Sequence, residues 1–165
     1  MTLSRNKEFN WEGIQVRVSL PSNYDSKQAY PVVLLNDGEL DYLSGLSQSV
    51  ILVGLIPESR LNDFTPWKAS ALKEGAPDFG GKVEAYHEKL FQGILTTLKK
   101  DYLIDENRIA YGGYSLGGLA AIYSLYSSYL PVTCIFSICG SFWYPDFTEF
   151  CREHDLIQSQ SLIYL

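Results

Sequence analysis

A chain of 165 residues, 46% of them hydrophobic, has enough material for one domain with its own core. Nineteen acidic against 13 basic residues leave a net charge of −6 at pH 7, which argues against a nucleic-acid or anionic-membrane partner. No apolar run is long enough to span a bilayer, and the N-terminal segment from Met1 to Glu8 lacks the apolar stretch of a secretory signal. Cys134, Cys139 and Cys151 are odd in number and show no framework spacing, so a cytoplasmic protein with unpaired thiols is expected.

In chain order, Trp11 to Leu20 alternates apolar and polar (Ile14, Val16, Val18, Leu20) and stops at Pro21, as a half-exposed antiparallel strand does. Turn chemistry follows from Pro21 to Lys27. Tyr30 to Leu35 and Val50 to Leu55 are short, continuous, β-branched runs suited to strands covered on both faces. Leu61 to Gly81 has no period and carries two prolines and three glycines, so it reads as a long surface excursion. From Lys82 to Lys100, Val83, His87, Leu90, Phe91, Ile94 and Leu98 form one helical stripe. Arg108 to Tyr114 reads as a strand, Leu116 to Tyr129 as a helix and Val132 to Cys139 as a buried strand. A short helix is expected over Asp146 to Asp155, and Ser161 to Leu165 begins another strand. An antiparallel start followed by alternating strands and helices predicts a single α/β domain with a doubly wound, mostly parallel sheet.

Gly113-Tyr114-Ser115-Leu116-Gly117 lies where the strand gives way to the helix. Glycines two positions either side of a serine permit a reversal so tight that larger side chains would strike the neighbouring strand or helix. Such a turn lifts the serine hydroxyl to the carboxyl end of the sheet. The helix behind it offers free N–H groups to a developing oxyanion.

Around this element the chain resembles the esterase branch of the α/β-hydrolases, which includes siderophore esterases, S-formylglutathione hydrolases and the mycolyl-transferase antigens. The motifs that carry the resemblance span nearly the whole chain. They are Pro21-x-x-Tyr24 leading to Tyr30-Pro31-Val32, Asp37-Gly38, Arg60-x-x-Asp63-x-Thr65-Pro66-Trp67, Gly80-Gly81-Lys82, Gly113 to Gly118, and Gly140-Ser141-Phe142-Trp143. The resemblance implies that Ser115 is the nucleophile and that the backbone N–H groups of Leu116 and Glu39 form the oxyanion hole. Arg60 would face the substrate or brace its own loop through Asp63. Phe142 and Trp143 would wall the pocket or fill core. No cofactor is implied, and the substrate would be a small-molecule ester.

In this family the order is serine, acid, histidine. The acid and the histidine belong to segments beyond the strand that Ser161 to Leu165 begins, so the resemblance implies the nucleophile-bearing part without the C-terminal third. His87, on the buried stripe, is expected to be structural. His154, with Asp146 upstream, is formally available as a base but belongs by family spacing beside the sheet. Cys151-x-x-His154 with Cys134 or Cys139 lacks the paired spacing of a zinc site, so no metal is expected. Gly75 to Lys82 is no phosphate loop, because Gly81 and Val83 stand where lysine and Ser/Thr are required. Three functions remain open at this stage: a serine esterase of weak or no activity in this form, a non-catalytic binding module on the same fold, and an acyltransferase. An unpaired terminal strand also leaves room for a homo-oligomer.

Overall fold

Glu12 (φ 46°) and Gly13 (φ 92°) turn the chain back on itself between β1 (Asn6–Trp11) and β2 (Ile14–Ser19). Two successive positive φ values match the twist of a two-residue hairpin, and Trp11 pairs directly with Ile14. The expected strand from Trp11 to Leu20 is therefore shorter at both ends, and β1, which the sequence pattern did not reveal, precedes it. The computed structural model describes residues 6–46, 49–127, 131–157 and 162–165.

The apolar runs form β3 (Tyr30–Asn36) and β4 (Ile51–Ile56), joined through a 3-10 segment, Leu40–Leu46. Then come α1 (Arg60–Asp63) and a two-residue ribbon, β5 (Lys68–Ala69) with β6 (Phe79–Gly80). The long amphipathic stretch becomes α2 (Val83–Glu88), a π-helical segment (Lys89–Ile94) and α3 (Leu95–Asp101). The π segment lies where Trp11 covers Gly93, so closely that a Cβ there would strike the indole. Next are β7 (Ile104–Tyr114), α4 (Leu116–Tyr123) with a 3-10 turn over Ser124–Tyr126, β8 (Cys134–Ile138), α5 (Phe147–Glu153) and β9 (Leu162–Tyr164). Tyr129 and Ser161, expected as the ends of a helix and a strand, lie outside the described residues.

The seven-stranded sheet has the order β1-β2-β4-β3-β7-β8-β9. β1 and β2 are antiparallel, and the strands from β4 to β9 run parallel. This is the doubly wound α/β arrangement expected. The chain steps outward from β3 to β4, then returns to place β7 on the other side of β3. The carboxyl ends of β3 and β7 therefore flank the point where the winding reverses, the place where open α/β sheets bind their ligands.

Leu61 to Gly81 is not simply a surface excursion. Phe64 and Thr65 are fully buried. The Phe64 ring meets Tyr86 edge-on at 5.2 Å. Thr65 Oγ1 donates to the Leu61 carbonyl (2.8 Å) and accepts from the Gly81 N–H (3.0 Å), closing the excursion from within. A single aromatic anchor and one hydroxyl leave no periodic trace, which is why the sequence pattern read as a loop.

Candidate active site

Ser115 follows the last residue of β7 and precedes the first of α4, with φ 55° and ψ −118°. A non-glycine residue is rarely held in that conformation unless its surroundings impose it. Here they do. The Ser115 N–H donates to the Ile138 carbonyl at the end of β8 (2.9 Å), and its carbonyl accepts from Leu119 and Ser141 (both 3.0 Å). The flanking glycines are constrained too, Gly113 more than Gly117. A Cβ on Gly113 would lie 2.7 Å from the Gly117 backbone and 2.8 Å from Asn36 Cβ. This reversal, a tight elbow, excludes a side chain at Gly113, whereas a Cβ on Gly117 would fit only if Asn36 gave way by a few tenths of an ångström. The Ser115 side chain is half-buried, and its Oγ lies 3.0 Å from Ser141 Oγ.

Beside it, at the end of β3, Asp37 (φ 68°) and Gly38 (φ 71°) make a second tight turn. A Cβ on Gly54 of β4 would lie 2.9 Å from Gly38 Cα, and one on Gly38 would meet Ile56 Cγ1 at 2.6 Å. The turn abuts the elbow, because a Cβ on Gly117 would lie 3.3 Å from Asp37 Oδ2. The N–H groups of Glu39 and Leu116 have no hydrogen-bond acceptor among the described residues. A cleft of about 630 Å³ borders the outer side of this turn, walled by Asp37 to Asp41 and by Lys7 and Arg17. Ser115 is not among its walls, so this cleft is not a chamber around the hydroxyl.

Arg60 does not pair with Asp63. Its Nε and Nη2 each bond one Asp37 oxygen at 2.9 Å, a fork-on-carboxylate pair, and its guanidinium lies over the Phe64 ring at 5.9 Å. The hydrogen bond to Asp37 raises the Arg60 pKa above its ordinary value against the opposing effect of burial. Asp37 was the nearer acid in space though 23 residues away in sequence. Because the Arg60 side chain is 41% exposed, Arg60→Met is expected to cost no more than about 1 kcal/mol in urea denaturation.

Phe142 stacks on Phe147 (6.0 Å, 13°) and is half-buried, so much of it packs core, whereas Trp143 is 54% exposed beside Phe79 (6.3 Å). Neither histidine touches Ser115. His154 is exposed, stacked on Phe150 at 4.2 Å, with Nδ1 2.9 Å from the Phe150 carbonyl. Asp146, the acid upstream of it, immediately precedes α5 with φ 62° and is likewise exposed. His87 is buried, and its Nε2 lies 3.1 Å from Tyr111 Oη. Asn36 Nδ2 donates to both Tyr111 Oη and the Gly117 carbonyl (2.9 Å each), and Asn36 Oδ1 accepts from Tyr86 Oη (2.7 Å). This buried network, missed by sequence reading, ties α2, β3 and β7 to the underside of the elbow. Among the described residues no group of three or more His, Cys, Asp or Glu could hold a metal ion, and no helix is long and apolar enough to cross a membrane.

These features can be set against known proteins. A family model described as "Putative esterase" matches residues 7–162. The chain belongs to this esterase family. Uncharacterized protein YbbA of Bacillus subtilis (strain 168) is 28% identical over 144 residues, covering 79% of this chain and 58% of that protein. An IroE-like serine hydrolase from Shewanella oneidensis superposes with a TM-score of 0.79 at 22% identity, covering 90% of this chain and 54% of its own. The siderophore hydrolase EstA from Aspergillus nidulans gives 0.71 at 18%, covering 92% and 62%. The α/β-hydrolase type of fold is thereby established, and the chain spans little more than half the length of the curated relative.

Proposed function

We propose that this chain is the nucleophile-bearing part of a carboxylic ester hydrolase, with Ser115 as the acyl-accepting residue. The observation that carries this reading is the strained backbone of Ser115, held at the winding reversal with its hydroxyl half-exposed beside a second tight turn. In this scheme Ser115 Oγ attacks the ester carbonyl, and the tetrahedral oxyanion faces the Leu116 and Glu39 amides. Each such donor lowers the barrier by on the order of 3 kcal/mol. The alcohol leaves, and water then releases the acid from the acyl-enzyme.

Siderophore esters are the first substrates to test, since structural neighbours carry the names siderophore hydrolase and Enterobactin and Salmochelin Hydrolase. The Arg60 N–H groups not engaged by Asp37 would meet an anionic or catecholate edge, with Trp143 and Phe142 as aromatic walls. The three free thiols suit a reducing cytoplasm.

No ring nitrogen contacts Ser115 among the described residues, so turnover is expected to be very slow: a serine hydroxyl without a base is a poor nucleophile. A fluorophosphonate probe followed by intact-mass analysis should give one slow adduct, absent from Ser115→Ala. Labelling as fast as in ordinary esterases would reveal a base elsewhere. Labelling undiminished in Ser115→Ala would refute the assignment. A module that holds an ester-like ligand without cleaving it would instead show binding that survives Ser115→Ala with no hydrolysis.

A further inference from the structure

We infer that Ser141 is a positioning residue for Ser115, donating a hydrogen bond to its Oγ and so leaving the Ser115 proton free to depart. The inference rests on the reading of Ser115 as nucleophile. Ser141 grips Ser115 at two points: its N–H donates to the Ser115 carbonyl and its Oγ lies 3.0 Å from Ser115 Oγ, each contact at 3.0 Å. The turn that carries it is rigid. The Ser141 carbonyl accepts from the Tyr144 N–H (3.0 Å), and the buried Tyr144 anchors the turn by donating its hydroxyl to the Trp67 carbonyl (2.6 Å).

Burial fixes the direction of the serine–serine bond. Ser141 is 1% exposed, and Ser115 Oγ is the only partner of its hydroxyl among the described residues. A buried hydroxyl proton gains most from an acceptor, and among the described residues the acceptor beside it is Ser115 Oγ. Ser115 is half-exposed, so its own proton can point outward to water, substrate or base. Donation therefore runs from Ser141 to Ser115. When the Ser115 O–H bond breaks and its proton passes to water or hydroxide, the alkoxide left behind keeps the Ser141 donor, which lowers the pKa of the nucleophile. Ser141 keeps its own proton throughout.

The test is the pH profile of fluorophosphonate labelling at Ser115, in which the Ser115 O–H breaks, an O–P bond forms and fluoride leaves. Ser141→Ala is expected to slow labelling about tenfold near neutral pH and to move the alkaline rise up by about one pH unit. Ser141→Cys keeps the size but donates weakly and should resemble Ser141→Ala. Ser141→Thr keeps the hydroxyl and should recover most of the rate. Circular-dichroism melts of every variant report folding separately. Wild-type rates in Ser141→Ala, or slower labelling with an unmoved pH profile in a folded Ser141→Cys, would overturn the positioning role. A wild-type protein labelled at another residue, or not at all, would instead overturn the nucleophile reading and remove the basis for this one.

Discussion

Asn36→Ala is expected to cost the protein about 4 kcal/mol, the largest loss from any single side chain around the elbow. The replacement deletes three hydrogen bonds at once and leaves the Tyr86 hydroxyl, the Tyr111 hydroxyl and the Gly117 carbonyl short of their partner. Asn36 is buried, and Tyr86 and Tyr111 are fully enclosed with pKa values raised by burial, so water cannot simply replace the amide. Each buried group left unpaired costs about 1–3 kcal/mol, and a connected network loses more than its separate bonds suggest. Against the ordinary 5–15 kcal/mol of a domain, this is a large share. Urea denaturation should show the midpoint falling by about 2 M at an unchanged slope. Tyr111→Phe on top of Asn36→Ala should add less than it costs alone, because both remove the same bond. A single-variant loss under about 1 kcal/mol would mean the network is open to water. Because the Gly117 carbonyl is held from below by Asn36, Ser115 labelling should also slow in Asn36→Ala even where the variant remains folded.

The elbow was legible because its requirement is steric and local: Gly113 and Gly117 face backbone and Asn36 Cβ within a few residues or across one strand. The parallel strands were legible for a similar reason, since β3 and β4 are buried on nearly every residue and so read as unbroken apolar runs. β1 was not, because a mostly exposed edge strand keeps only Phe9 and Trp11 as apolar markers. The partner of Arg60 escaped for a different reason. Sequence proximity favoured Asp63, but a positive-φ turn at the end of β3 presents Asp37 instead, and only the strand order brings the two together. Ser141 and Asn36 were invisible as polar members of otherwise unremarkable stretches. A serine in a turn and an asparagine ending a strand acquire meaning only through what surrounds them. Ser141 lies inside the Gly140 to Trp143 motif, whose distinctive side chains are the aromatic Phe142 and Trp143.

His87 should make stability fall as the solution is acidified from pH 6.5. Its ring is 3% exposed and packed among Tyr86, Phe91 and Tyr111, with ring centroids 5.6–5.9 Å away. Its Nδ1 has no hydrogen-bond partner among the described residues. The carboxylates nearest in its own helix, Glu84 and Glu88, are exposed, and Glu84 accepts from the Tyr123 hydroxyl (2.9 Å), so neither neutralises a charge on the ring. Burial lowers the His87 pKa to about 3 from the ordinary 6.5. Between those two values the unfolded chain binds a proton that the folded chain refuses, so protonation favours unfolding. The contribution is complete above pH 6.5 and is lost as pH falls toward 3, at up to about 1.4 kcal/mol per pH unit. Carboxylates titrate mainly below pH 4.5, which leaves the interval from 6.5 to 5 to histidine. Unfolding free energies from urea titrations at pH 7.5 and pH 5 should therefore differ by about 2 kcal/mol in the wild type. His87→Phe removes the titration, and its stability should be level across that interval, though lower at pH 7.5 because Tyr111 loses a partner. A wild-type profile as flat as that of His87→Phe would show that the ring reaches water when protonated and that its burial carries no pH-dependent cost.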